Sequence, residues 1–178
     1  MAHFNHQTKG SRTPRRTGAI DWRAPYNRSL RLVDNDDAEA FRLNRLAAED
    51  GMHDAVLAMG WSYLNGVGVK ADENEAIRWY RKSARQGEPR AMFSLGYIAY
   101  FRKDYSEALT WFERALNNQH HRSNYWIGKM YWRGQGVERD RKRAQSYFAQ
   151  AAQRKVKEAQ RAIRFLAFHS DRKRATSD

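Results

Sequence analysis

The chain has 178 residues, with 33 Lys and Arg against 20 Asp and Glu, 13% aromatic residues and no cysteine. That length and aromatic content suffice for one domain with a sizeable core, and the lack of thiols excludes a disulfide framework and a thiolate metal site. The longest largely apolar run, Ala55 to Leu64, holds Gly and Ser and falls well short of the roughly 20 residues needed to span a bilayer.

Residues 1–33 form a basic arm, with 7 Lys and Arg against 1 acid. Met1 to Ile20 lacks the apolar stretch of a secretory signal, and residues 1–18 offer almost nothing to bury, so this part is expected to be mobile. Lys9, Arg12, Arg15 and Arg16 are its candidate contacts to an anion. Ile20, Trp22, Tyr26, Leu30, Leu32 and Val33 then predict a strap or short helix packed on the first repeat. From Asp36 a helical pattern takes over and persists to Phe168, which sets a repeat domain over 34–168. It opens with a half unit, 36–52, where Ala40, Leu43, Ala47, Ala48 and Gly51 stand 36 residues before Ala76, Trp79, Ser83, Ala84 and Gly87. Full units come next at 54–87, 90–119 and 122–155, and a second half unit at 157–168. The half units are expected to cap the apolar ends of the stack. A basic tail, 169–178, is expected to fray.

The units are recognised by what recurs in them. Leu57-x-x-Gly60-x-x-Tyr63-x-x-Gly66-x-Gly68-Val69 returns as Ile127-Gly128-x-x-Tyr131-x-x-Gly134-x-Gly136-Val137, with Leu95-Gly96-x-x-Ala99 between them. Ala76 with Trp79-Tyr80, Ala108 with Trp111-Phe112 and Ala144 with Tyr147-Phe148 follow in step. The steps from Ala55 to Ala91, Ser123 and Ala159 are 36, 32 and 36 residues, a solenoid period. Each unit resolves into two helices. In the first, Ala, Met or Leu, and Tyr at i, i+4 and i+8 line one face, and Gly60, Gly96 and Gly128 interrupt a helix where Gly costs about 1 kcal/mol relative to Ala. Such a cost repeated in register predicts a close crossing that a side chain would block. The second helix opens on a capping acid, Asp72, Asp104 or Asp140. Gly66-x-Gly68 and Gly134-x-Gly136 end the first helix and permit positive φ in the turn. The fold class is therefore all-α, a solenoid of helix pairs.

This combination of residues resembles the Sel-one-like repeat, a relative of the tetratricopeptide repeat. Residues 55–87 match its pattern with Met59 in place of Leu, and residues 123–155 match with Ser123, Ile127 and Tyr147 as replacements. The middle unit lacks the Gly-x-Gly-Val turn, and its Leu95, Gly96, Ala99, Ala108, Phe112 and Ala115 fall at the tetratricopeptide spacing. The resemblance covers about residues 36–168. It implies a right-handed stack of antiparallel helix pairs, with the first helices lining a concave groove, and protein binding in adaptors that are rarely catalytic. In that register the groove residues are Leu57 and Trp61, then Arg90, Phe93, Tyr97 and Tyr100, then Arg122, Tyr125, Lys129, Trp132 and Arg133, with Asp54 and Leu64 beside them. Aromatic rings flanked by Arg and Lys stack on a peptide or a base and pair with carboxylate or phosphate, and about half of these rings are expected to be core.

Catalytic readings find little support. Neither Gly-x-Gly pair continues as a phosphate-binding loop, and no His-Glu-x-x-His run exists. His3 and His6 have no acidic neighbour, and His120-His121 falls at a junction between units where a solvated or capping role is expected. No enzyme activity, metal or cofactor is expected. The expected function is a cytoplasmic protein–protein adaptor that grips a partner peptide or helix, one with an acidic segment, in the groove. The alternative is a protein associated with nucleic acid or an anionic membrane through the basic arm and the C-terminal basic face, including Arg141, Lys142 and Arg143. Residues 34–128 hold 12 Lys and Arg against 14 acids, whereas 129–178 hold 14 against 5, so charge is concentrated at the ends. Solubility is the competing explanation for surface charge of this kind.

Overall fold

A computed structural model of the chain describes residues 36–175. The expected arm and strap, with Lys9, Arg12, Arg15 and Arg16, lie outside the described residues. Within them the chain is all-helical, with eight helices: α1 (Asp37–Glu49), α2 (His53–Asn65), α3 (Glu73–Arg85), α4 (Pro89–Phe101), α5 (Tyr105–Asn117), α6 (Arg122–Arg133), α7 (Arg141–Gln153) and α8 (Lys157–Ala175). Each helix packs on the next along the whole stack, and α2 also touches α4, so the pairs α2–α3, α4–α5 and α6–α7 are the three full units of a right-handed α-solenoid. The last helix does not stop at Phe168. No Gly or Pro comes after it to break the helix, which continues to Ala175.

The second helices start where the sequence places their caps. Asp72 accepts from the backbone N–H groups of Asn74 and Glu75 at 2.9 and 3.0 Å, Asp104 from Glu107 at 3.4 Å and Asp140 from Arg143 at 2.9 Å. Asp36 does the same for α1 through Glu39 at 3.0 Å. Each bond satisfies a donor that the first helical turn leaves unpaired.

Packing explains the recurrent helical glycines. A Cβ built on Gly60 would lie 2.6 Å from the Tyr80 ring, one on Gly96 2.7 Å from Phe112, and one on Gly128 2.9 Å from Phe148. The second aromatic of each pair therefore lies flat against the bare backbone of its partner helix and is buried, while the first, Trp79, Trp111 or Tyr147, stays half-buried. Gly68 serves a different contact. At φ +69° it presses on the start of α1, and a Cβ there would fall 1.9 Å from the Asp37 carbonyl oxygen. Gly136 meets Tyr105 at the start of α5 in the same way, at 2.8 Å. The core is consequently distributed along the stack. One cluster joins α1 to α2 around Met59, another joins the first and second units around Tyr80 and Leu95, and a third joins the second and third units around Phe112, Trp126 and Ile127.

Candidate partner-binding face

Register sets this face. Asp54 on α2 and Arg90 on α4 stand 36 residues apart and form an ion pair at 2.9 Å, and Glu88 also holds Arg90 at 2.7 Å. Arg122 on α6 pairs with Glu158 on α8, again 36 residues on. Positions 54, 90, 122 and 158 are thus equivalent on the four first-type helices. Because residues four, seven and eleven along share a helical face, three further rows lie beside them: Ala58, Ser94 and Trp126; Trp61, Tyr97, Lys129 and Phe165; Asn65, Phe101 and Arg133.

Exposed rings concentrate in the row that begins at Trp61. Trp61 is 50% exposed, Tyr97 39% and Phe165 58%, and Phe101 in the adjacent row is 60% exposed. Leu46 is the one other large apolar side chain exposed among the described residues. Four of five such groups therefore share one face. Between α2 and α4 this face holds a depression of about 340 Å³ lined by Leu57, Trp61, Arg90 and Ser94, with Tyr80 at its wall. Between α4 and α6 the rings pack on one another: Tyr97 on Phe101 with centroids 4.6 Å apart, and Trp126 on Tyr97 at 5.2 Å and on Tyr100 at 4.9 Å. The Lys129 ammonium lies 4.3 Å from the Trp126 centroid and 5.0 Å from that of Tyr100. Burial, followed by the Arg133 charge, holds it below the usual lysine range.

The sequence-derived groove residues divide between the surface and the interior. Trp61, Tyr97, Lys129 and Arg133 lie on the face. Leu57, Phe93 and Tyr125 are half-buried against the core clusters. Tyr100 is buried, its hydroxyl donating to Gln135 Oε1 at 2.7 Å and accepting from Arg133 at 3.5 Å. Trp132 is half-buried beneath the Arg141 guanidinium at 5.4 Å. Arg90 and Arg122 are already occupied by carboxylates. Arg143 lies 3.4 Å from Asp140 and over the Tyr131 ring at 5.7 Å, while Lys142 is exposed and makes no ion pair among the described residues. Phe101 and Phe165 are absent from the sequence-derived set, as is Trp126, which is buried behind the face. Counting in steps of four and seven from the Asp54 and Arg90 pair finds them.

Of the solvated or capping role expected for His120, the structure does not show the solvated one: the residue is half-buried beside the start of α6. Its ring lies 4.4 Å from Phe93, with Nδ1 3.2 Å from the Ser123 hydroxyl. Burial, then the Arg122 charge, pushes its pKa down to about 4. Among the described residues no group of three or more His, Asp and Glu is placed to hold a metal, and no helix is long and apolar enough to cross a membrane.

Stacked helix pairs whose first helices share a continuous side-chain face define a helical-repeat scaffold. The family model for the Sel1 repeat matches residues 26–52, 53–88, 89–120 and 121–156, and the chain belongs to the Sel1 repeat family. The first match begins inside the segment read as a strap. There Leu30 and Leu32 occupy the register of Gly66 and Gly68, which removes the turn signature that marks the units at 54–87 and 122–155. A solved Sel1 repeat protein from Oxalobacter formigenes is similar over 79% of this chain and 61% of its own, at 32% identity and a TM-score of 0.72. A protective antigen of uropathogenic Escherichia coli with an SLR fold is similar over 78% of this chain and 32% of its own, at 28% identity and a TM-score of 0.70. Among curated proteins, the ERAD-associated E3 ubiquitin-protein ligase component HRD3B of Arabidopsis thaliana and the chitin synthase regulator SKT5 of Saccharomyces cerevisiae are each 30% identical over 118 residues. These matches cover 63% of this chain but 18% and 16% of the relatives, so the chain spans less than a fifth of their length. Sel1 repeats are in general protein–protein interaction modules.

Proposed function

We propose that the chain is a non-enzymatic adaptor that holds a peptide or helix of a partner protein across its first helices, along Trp61, Tyr97, Lys129 and Phe165. The observation that carries this reading is the clustering of exposed rings on one face, because aromatic side chains left in water beside a depression are the usual anchors of binding energy. Among the described residues, Lys129 and Arg133 are the cations on that face without a carboxylate partner, whereas Arg90 and Arg122 are neutralised in place. A complementary segment therefore carries apolar anchors over Trp61 and Tyr97 and an acidic residue toward α6. The anchors supply affinity and the charge supplies orientation and association rate. Relatives named as a ligase component and a synthase regulator fit an adaptor role. Kinetics of the complex test it: Trp61→Ala raises the dissociation rate about tenfold, and Lys129→Glu with Arg133→Glu slows association at low salt and hardly at all at high salt. Unchanged kinetics in both variants overturn the assignment.

A further inference from the structure

Ion pairing is divided unevenly along the stack. Among side chains described before residue 129, seven of twelve Lys and Arg form an ion pair: Arg42, Arg45, Arg78, Arg81, Arg90, Arg102 and Arg122. From 129 to 166 there are eleven, and Arg143 alone forms one. Of the three acids in that stretch, Asp140 serves Arg143 and Glu158 serves Arg122 across from α8, which leaves Glu138 against the remaining cations. Cations retained at this density without partners repel one another and lower the stability of the fold. Neutralisation by an external polyanion relieves that cost.

Three of the ten unpaired cations, Arg139, Arg141 and Lys142, line one recess. The turn from α6 to α7 encloses a cleft of about 530 Å³ lined by Arg139, Arg141, Lys142 and Arg143 against the two acids Glu138 and Asp140, with Tyr131 and Val137 as its apolar part. The Arg141 guanidinium lies over the Trp132 ring at 5.4 Å from its centroid and that of Arg143 over Tyr131 at 5.7 Å, and Tyr131 in turn lies parallel to Tyr147 at 5.7 Å and 10°. Arg141, which forms no ion pair among the described residues, keeps its in-plane N–H donors for an incoming phosphate, whereas Arg143 already directs Nε to Asp140. We propose that this cleft binds single-stranded nucleic acid, its Arg and Lys side chains pairing with successive phosphates while bases pack on the Tyr131 edge and the guanidiniums.

Single-stranded nucleic acid fits better than the other polyanions. A bilayer surface is too broad to enter the recess, and the cleft projects no exposed ring to insert, since Tyr131, Trp132 and Tyr147 are half-buried and four of the five exposed large apolar groups lie on the first-helix face. An acidic peptide would use the charge but leave the aromatic and guanidinium planes unused. The site is separate from the Trp61 and Phe165 row, so it goes beyond the adaptor reading and can fail without it.

The test is fluorescence anisotropy of the full 178-residue chain with a labelled oligouridine across a salt series. Arg141→Glu with Lys142→Glu is expected to weaken binding about tenfold at low salt and to flatten the logarithmic salt slope by about 1.4, the value for two lost phosphate contacts on a single strand. Lys70→Glu with Arg85→Glu makes the same charge change in the balanced half and is expected to stay within about twofold. The neutral pair Arg141→Gln and Lys142→Gln, with helicity checked by circular dichroism, is expected to give a smaller loss in the same direction. Equal losses in the two reversals, no loss in the first, or displacement of the RNA by duplex DNA, phosphatidylserine vesicles or oligoglutamate at lower charge concentration would overturn the proposal.

Discussion

Gly60, Gly96 and Gly128 each leave room for one ring, and the room is measurable. Replacing Gly60 by Ala gains about 1 kcal/mol of helix propensity, yet the new methyl overlaps Tyr80 at 2.6 Å. Displacing a buried ring typically costs about 1 to 3 kcal/mol, so the expected net effect is a loss of up to roughly 2 kcal/mol in urea denaturation. Gly128→Ala, whose methyl has 2.9 Å, is expected to lose less; a stability gain at either site would contradict the close packing. His120 carries a second prediction. Its pKa of about 4 lies below the ordinary 6.5, so between those values the unfolded chain binds a proton that the folded chain refuses. Stability contributed by the neutral ring is therefore lost as pH falls from 6.5 towards 4, with no effect above that window. His120→Gln is expected to flatten this part of the stability profile, and parallel profiles for the two proteins would exclude His120 as the cause. The glycines were legible in the sequence because they recur in register. The place of His120 was not, because the Phe93 ring that covers it comes from another helix.

At the scale of elements, the caps and most helices could be read from the chain, since Asp72, Asp104 and Asp140 each open a run with helical periodicity. The turns between units show a finer regularity. Gly51, Gly87, Gln119 and Lys155 occupy equivalent positions at φ of +87°, +86°, +67° and +62°. A non-glycine residue loses about 1 to 2 kcal/mol in that conformation, while Gly loses about 0.5 to 1 kcal/mol in chain entropy. Nothing lies within 4 Å of a Cβ at Gly51 or Gly87, so the turn itself demands the conformation and no neighbour enforces it. Gln119→Gly is accordingly expected to stabilise the chain by about 0.5 to 1 kcal/mol, and a loss of stability in thermal or urea unfolding would show that the Gln119 side chain contributes more than its backbone costs. Helix rotation was beyond the sequence. Leu57, Trp61 and Leu64 share one apolar stripe by composition, but burial of Ala55, Val56 and Met59 in the core turns Ala58, Trp61 and Asn65 outward instead. That one-residue offset put Tyr100 in the expected groove and left Phe101 out.

At the scale of the molecule, a stack with a distributed core carries a face that four helices build together. No single unit holds the row; Trp61, Tyr97, Lys129 and Phe165 come from four successive first-type helices, so the surface exists only while the stack does. Composition disclosed the charge asymmetry, but only the three-dimensional pairing separates neutralised cations such as Arg90 from open ones such as Lys129. The central claim is that this row is where a protein partner lies. Placing a photo-crosslinking amino acid in turn at Trp61, Tyr97 and Phe165, and at Arg78 and Gln150 on the second helices, and mapping the adducts by mass spectrometry tests it most directly. One shared partner peptide is expected to crosslink from the three row positions and not from the second helices; adducts to that peptide from Arg78 or Gln150 with none from the row would contradict the claim.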